Sequence, residues 1–431
     1  MNSWLRSLAV YADRRIIAIL FLGFSSGLPL SLVYATLSAR LAEAGVSMTM
    51  IGLFSWASTA YGFKWLWSPL VDRLPIPLLT PLLGQRRGWM VLSQVATAIC
   101  MIGLGSTDPS ESLVGTAAWA VALAFTSATQ DIVIDAYRVE ILKERELGAG
   151  AGNIVLGYRL GMIVSGGGAL VIADLFGWFA AYAVMAALMS IGLGTALLSK
   201  EPARPEVDEA SLTRDPIGWI RTAVAAPLTD FMQRPHWLLI LLFIALYKYG
   251  DALLGVMANP FYLDIGFTKA EIGLVSKSYG VIMTIVGGLA GGVIVARLGI
   301  MRALLICGVL QAASNLVFVA QAMAGADLSV FVVTMSVENL AGGMGTAAFV
   351  AYLSSLCNVA YTATQYALVS SFMAFTRTIF ASGGGWLADR VDWVTYFLIS
   401  TAAALPGLLL LLWMMRAFPQ GGAVRLATDK A

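Results

Sequence analysis

Eleven residues, Gly45-Val-Ser-Met-Thr-Met-Ile-Gly-Leu-Phe-Ser55, return 221 positions later as Gly266-Phe-Thr-Lys-Ala-Glu-Ile-Gly-Leu-Val-Ser276. A second echo, Ser165-Gly-Gly-Gly168 against Ser382-Gly-Gly-Gly385, is offset by 217. Offsets this close come from one duplication with a small gap, so the chain is two copies of one half. Each copy starts a helix in the same place: Thr268-x-x-Glu271 reads as a capping box, and Ser47 stands at the matching position. In a strongly apolar chain, direct duplication implies two membrane bundles related by an axis along the bilayer normal.

Composition supplies the apolar premise. Of 431 residues, 59% are hydrophobic and 12% charged, about half the roughly 25% charged share of soluble domains. Apolar runs of about 20 residues, enough to cross a roughly 30 Å hydrocarbon core, fall near 16–39, 49–72, 88–106, 113–142, 147–174, 177–198, 236–263, 269–296, 301–323, 328–356, 362–388 and 393–416. The expected fold is an all-α membrane protein, with twelve transmembrane helices in two six-helix repeats. Its parts are an N-terminal bundle over 1–198, a linker over 199–235, a C-terminal bundle over 236–418 and a tail over 419–431.

The first run holds Pro29 in mid-span and no small-residue cleavage site after it, so it is expected to stay in the mature protein. The linker holds Asp215-Pro216 as a helix-start signal, and the mixture of Trp219, Ile220, Val224 and Phe231 with Arg221 and Asp230 predicts an amphipathic helix on the membrane surface. The tail after Phe418 reads as disordered. Eighteen Lys and Arg lie on the side of the termini, against Arg40, Lys269 and Arg390 on the other. The positive-inside rule then puts both termini in the cytoplasm.

Cys100, Cys307 and Cys357 are far apart with no C-x-x-C pattern, and the one histidine, His236, stands beside Pro235 at a helix start. They read as small apolar residues and an interfacial residue, with no metal or cofactor expected. No G-x-x-x-x-G-K-[ST], H-E-x-x-H or G-x-S-x-G occurs, so neither ATP hydrolysis nor membrane-embedded hydrolysis has support. What remains for such a chain is transport, driven by an ion gradient or by the solute's own.

Charges inside the apolar runs mark the pathway. Lys64, Asp131, Asp135, Arg138, Arg159, Lys248, Asp251, Lys277, Glu338 and Arg377 all sit there. Each costs at least roughly 2.5 to 3.5 kcal/mol at mid-membrane, so each needs a partner or a watery cavity. In Gln130-Asp131-Ile-Val-Ile-Asp135-Ala-Tyr-Arg138 the spacings of four and three put Asp131, Asp135 and Arg138 on one helical face. Arg138 can hold one aspartate ionised while burial favours the protonated form of the other, which makes a proton site; a latch at the inner end is the competing reading for Arg138. The second half offers Lys248 and Asp251 at i and i+3, and Glu338 beside Asn339 without a local cation. Asp131, Asp135, Asp251 and Glu338 are therefore the candidate proton-coupling acids. Arg159, Lys277 and Arg377 suit a carboxylate-bearing substrate or the neutralisation of these acids. Tyr61, Trp65, Tyr158, Tyr279, Gln130 and Asn339 add flat rings and amides of the kind that bind amphipathic ligands such as sugars.

These residues resemble the major facilitator superfamily. Its loop motif between the second and third spans occurs in stretched form, as Ser68-Pro-Leu-Val-Asp72-Arg73 and then Gly84-Gln-Arg86-Arg87-Gly88, while the second half has Ala296 where the aspartate would be. A closer resemblance is to the AmpG muropeptide permeases of Gram-negative bacteria. It rests on Gly23-Phe-Ser-Ser-Gly-Leu-Pro-Leu30, Phe63-Lys-Trp-Leu-Trp-Ser-Pro-Leu70, Ser127-Ala-Thr-Gln-Asp-Ile-Val-Ile-Asp-Ala136, Leu156-Gly-Tyr-Arg-Leu-Gly161, Tyr247-Lys-Tyr-Gly-Asp251 and Glu338-Asn-Leu-Ala-Gly-Gly-Met-Gly-Thr-Ala-Ala-Phe-Val350.

The resemblance implies a proton-driven importer of anhydromuropeptides in the bacterial inner membrane, working by alternating access and linked to cell-wall recycling and β-lactamase induction. In that reading Gln130, Tyr61, Trp65, Tyr158, Arg159, Lys248, Lys277, Tyr279 and Asn339 bind substrate, and Asp72, Arg73, Arg138 and Arg377 gate. The expected partners are the muropeptide, protons and the lipid bilayer, with no nucleic acid and a monomeric protein. The rivals are an acetyl-CoA or nucleotide-type carrier, a drug exporter and a membrane enzyme.

Overall fold

The computed structural model describes residues 9–203 and 216–417; the predicted disordered tail, and 204–215 of the linker, lie outside the described residues. Among the described residues there is no strand. The first half contains α1 (Arg14–Val33), α2 (Ala35–Glu43), α3 (Met48–Phe54), α4 (Thr59–Phe63), α5 (Ser68–Arg73), α6 (Gln85–Ser106), α7 (Leu113–Ile141), α8 (Leu147–Ile163) and α9 (Ala169–Leu198). After the linker helix α10 (Pro216–Met232) come α11 (Trp237–Tyr247), α12 (Tyr249–Asp264), α13 (Gly280–Leu298), α14 (Ile300–Ala324), α15 (Leu328–Ser355), α16 (Thr362–Ala388) and α17 (Trp393–Ala417).

Among the described residues nine helical stretches are long and apolar enough to cross a bilayer, not the expected twelve. The difference has three sources. The span expected over 49–72 is broken into α3, α4 and α5 with tighter turns between them. The stretch from Glu144 to Leu198 counts once although its helix breaks at Gly177, whose φ is 84°. Its first part approaches α1 with Ile154 at Gly23 and Tyr158 at Gly27, and its second part returns with Trp178 on Glu43 and Tyr182 on Leu32. Finally α16, at 27 residues, is long enough but more polar than the rest.

The duplication is written in the contacts as well as in the sequence. Gly45 and Gly266 both take positive φ, 75° and 104°, a turn only glycine makes at low cost. The predicted capping box forms, with Thr268 N–H donating to Glu271 Oε2 at 2.8 Å and Glu271 N–H to Thr268 Oγ1 at 3.2 Å; the Thr268 N–H and hydroxyl, both donating to the carboxylate, hold it below its ordinary range. In the other copy Met50 N–H donates to Ser47 Oγ at 3.4 Å. Trp178 Nε1 donates to Glu43 Oε2 at 2.9 Å, and Trp393 Nε1 to Asp264 Oδ2 at 2.6 Å. Tyr182 OH donates to the Leu32 carbonyl and Tyr396 OH to that of Leu253; the leucines are again 221 residues apart and the tyrosines 214. Each half is clamped to its own first span, Arg14–Glu43 or Trp237–Asp264, in the same way.

The buried side chains show how the halves meet. On the side of the termini one apolar cluster joins both: Ile16, Ile19, Leu147 and Ala149 pack with Phe243, Val295, Phe349 and Tyr366. On the opposite side each half has its own cluster, one around Leu32, Leu104 and Tyr182, the other around Phe261, Phe318 and Phe397. Small residues make the seam close. A Cβ at Gly152 of α8 would stand 2.9 Å from the Gly288 carbonyl of α13, and Tyr11 OH donates to the Leu289 carbonyl at 2.7 Å. The halves are joined at the terminal end and have separate cores at the other.

The linker region predicted to lie on the membrane surface is helical, as α10. Its later part docks on protein: Ala223 and Phe231 are buried, and Asp230 accepts from Asn358 Nδ2 at 2.9 Å and Gln365 Nε2 at 2.7 Å.

Candidate functional site

The wall contributed by the first half is built on α7. Its length and its Ser112 N-cap, which accepts from Gly115 N–H, carry a run of polar residues from the membrane interior down to the terminal side. Ser26 Oγ of α1 donates to Asp131 Oδ1. One turn further on, Asp135 stands between Lys64 Nζ at 3.7 Å and Arg138 Nη2 at 3.3 Å. Asp131 lies within electrostatic reach of Lys64 and Asp135, and Tyr61 and Tyr158 lie near Asp131. Tyr61 OH donates to Ser127 Oγ at 2.9 Å, so the ring is held one turn from that carboxylate.

Arg138 belongs to the seam. Fully buried, it donates from Nη1 to Ser354 Oγ of the other half at 2.9 Å, and its guanidinium lies 5.2 Å over the Tyr366 ring. Beside it is the main cross-half lock. The Asp72 carboxylate accepts from Arg86 Nη2 at 2.7 Å and from the N–H groups of Ala363 and Thr364 at 3.1 and 2.8 Å, with Thr364 Oγ1 at 2.6 Å. Those N–H groups open α16, so the aspartate caps a helix of the other half, where the dipole favours an anion. Arg86 is held from behind by Glu140 at 2.5 Å, and Arg73 lies 5.3 Å over the Tyr361 ring. Arg234 donates to the Leu356 carbonyl and to Gln365 Oε1.

The second half's wall holds Lys248 at the break between α11 and α12. Its Nζ donates to Asp251 Oδ2 at 2.8 Å and Gln311 Oε1 at 3.0 Å. Glu338 is half-buried on α15 and makes no hydrogen bond or ion pair among the described residues, although Asp251 and Lys248 are in electrostatic reach. Tyr279 OH bonds Ser336 Oγ at 2.8 Å, the counterpart of Tyr61 and Ser127.

The other residues singled out from the sequence are placed less directly. Gln130 is completely buried with neither amide atom hydrogen-bonded, so it points into the bundle interior. Asn339 accepts from Thr284 Oγ1 at 2.9 Å and donates to the Met335 carbonyl, binding α13 to α15. Trp65 packs beside the cluster holding Ile132 and Ala363. Arg159 is half-buried and Arg377 exposed, neither paired among the described residues. The Lys277 side chain lies outside the described residues.

Sequence reading passed over Ser26, Gln311, Glu140, Ser354 and Thr364. Gln311 alone carried a signal, as an amide inside the apolar run 301–323. The others are short or terminal residues whose partners come from distant segments.

The family model of the major facilitator superfamily matches residues 17–250 and 240–429. The anhydromuropeptide permease of Escherichia coli (strain K12) is 43% identical over 407 residues, covering 94% of this chain and 80% of the permease. Among solved structures, a double-tryptophan mutant of XylE aligns with a TM-score of 0.65 at 12% identity, covering 94% of this chain and 95% of that one. The human organic anion transporter MFSD10 aligns with a TM-score of 0.57 at 16% identity, over 95% and 100%. Such low identity speaks to the fold, and the close relative narrows the family: the chain belongs to the major facilitator superfamily, and within it to the AmpG permeases.

Proposed function

We propose that this protein imports anhydromuropeptides across the bacterial inner membrane with protons, by alternating access. The observation that carries the reading is the 43% identity to an anhydromuropeptide permease along 94% of the chain. Its geometry adds support: intramembrane acids on both walls, and halves that share a core only at the terminal end. In this reading the chain makes twelve passes, counting 48–73 and α16 as one each and dividing 144–198 at Gly177. The halves are 1–198 and 236–418, and the excess of Lys and Arg puts both termini in the cytoplasm. The state described is then closed to the cytoplasm.

Within it, Asp131, Asp135, Asp251 and Glu338 are the coupling acids. Tyr61, Tyr158, Tyr279, Arg159, Lys248 and Lys277 meet the disaccharide and its peptide carboxylates. Asp72, Arg73 and Arg138 close the inner gate. Uptake of labelled anhydromuropeptide into proteoliposomes, with an imposed proton gradient and then an uncoupler, tests it. Accumulation that collapses with the uncoupler is expected. Transport of acetyl-CoA in its place would overturn the substrate, and uptake indifferent to the uncoupler would overturn the proton coupling.

A further inference from the structure

The second half's wall holds two acids, Asp251 and Glu338, and one described cation near both, Lys248. Lys248 Nζ sits 2.8 Å from Asp251 and 3.0 Å from Gln311 Oε1, while Glu338 makes no hydrogen bond or ion pair among the described residues. Gln311 comes from α14, and its amide lies along one face of α15. A Cβ at Gly345 would stand 2.4 Å from Gln311 Oε1 and 3.5 Å from Lys248 Nζ, and a Cβ at Gly342 would stand 3.2 Å from Gln311 Nε2. Glu338, Gly342 and Gly345 are spaced four and three, so they share that face. The glycines clear a lane from Lys248 towards Glu338, and the glutamine lies in it, its carbonyl oxygen to the cation beside Gly345 and its amide nitrogen on the side of Gly342, towards the acid.

We infer that Gln311 is a positioning residue: it holds the Lys248 ammonium on Asp251 and keeps it from crossing to Glu338, leaving Glu338 as the acid of this wall that a proton must balance. A glutamine suits the task because it accepts from the ammonium without adding charge. Without it, one flexible lysine faces two carboxylates, and pairing with Glu338 removes the need for the proton. The charged and titratable groups that the described residues bring near Glu338 are Asp251, Lys248 and Tyr262, all from the segment at and after the α11–α12 break. The inference rests on the reading of proton-driven uptake.

The test is Gln311→Met, which keeps the volume and removes the acceptor. Substrate accumulation under a proton gradient should fall about tenfold and lose its dependence on outside pH, while counterflow between equal substrate pools, which needs no net proton movement, should persist. With Glu338→Gln added, accumulation should be no lower than in Glu338→Gln alone, because both changes act on the same unpaired acid. Unchanged accumulation in Gln311→Met, or losses that add in the double variant, would overturn the inference. A second readout needs no substrate. In thermal unfolding of the purified protein, Glu338→Gln should lower the midpoint in the Gln311→Met background, where Lys248 pairs with Glu338, and leave it unchanged or raised in the wild type. Equal shifts in both backgrounds would overturn the inference even if the muropeptide reading failed.

Discussion

The carboxylate of Asp72 in the first half ends at the start of a helix of the second, where Thr364 meets it with both N–H and hydroxyl at 2.8 and 2.6 Å. One side chain thus closes the seam and caps α16. Asp72→Asn retains shape but loses the charge that strengthens these bonds, by about 1.5–3 kcal/mol for a charged partner. Hydrogen exchange at Ala363 and Thr364 should speed by roughly tenfold or more, and exchange on the opposite side, in the cores around Leu32 and Phe261, should stay as it is. Unchanged exchange at these two amides would refute the cap.

Neutralising a coupling acid is the direct test of the walls. Asp131→Asn, Asp135→Asn and Glu338→Gln should each abolish uphill accumulation and leave downhill exchange measurable. Persistence of accumulation in all three would make these carboxylates structural.

The two amides proposed for sugar recognition should now part company. Gln130 is buried with its amide unbonded, so Gln130→Met should leave stability unchanged or raise it by about 1–3 kcal/mol, the desolvation cost removed. A rise in stability together with lost transport would mark the glutamine as kept for function. Asn339→Leu breaks the bond to Thr284 and should lower stability by about 1 kcal/mol. Paired thermal-unfolding and uptake measurements separate the two.

The two indole clamps end on exposed carboxylates, so each should contribute little. Trp178→Phe and Trp393→Phe remove the indole donors to Glu43 and Asp264 and should each cost about 0.5–1.5 kcal/mol. They lie in different bundles, so the double variant should show their sum. A double variant no weaker than either single one would mean that the two bundles are coupled through this side.

Much of this architecture was legible because duplication and apolar runs leave long marks. The repeat at Gly45 and Gly266 located the same turn twice, and the spacing of Asp131, Asp135 and Arg138 foretold their common face. Harder to read was the segment 48–73. Its apolar content signals a membrane span, but the breaks around Ser55 and Lys64 depend on what α7 and α16 press against it. The network at Asp72 was also half-visible: the sequence shows an Asp-Arg pair and, further on, two arginines, but main-chain N–H groups of another segment have no residue-type signature. Gln130 drew notice as an amide among the aromatic rings of these spans, but a residue type alone does not say that its amide is buried without a hydrogen bond.

Many of the bonds at the terminal end finish on the main chain of the second half: Asp72 on two amides, Tyr11 on the Leu289 carbonyl, Arg234 on that of Leu356. A peptide group is the same whatever residue carries it. The second half can therefore drift in sequence at these points while the seam keeps its fit, and the burden of remaining unchanged falls on Asp72, Tyr11 and Arg234. Two halves that began as copies are free to diverge at different rates, which is the asymmetry already visible where Ala296 stands in place of an aspartate.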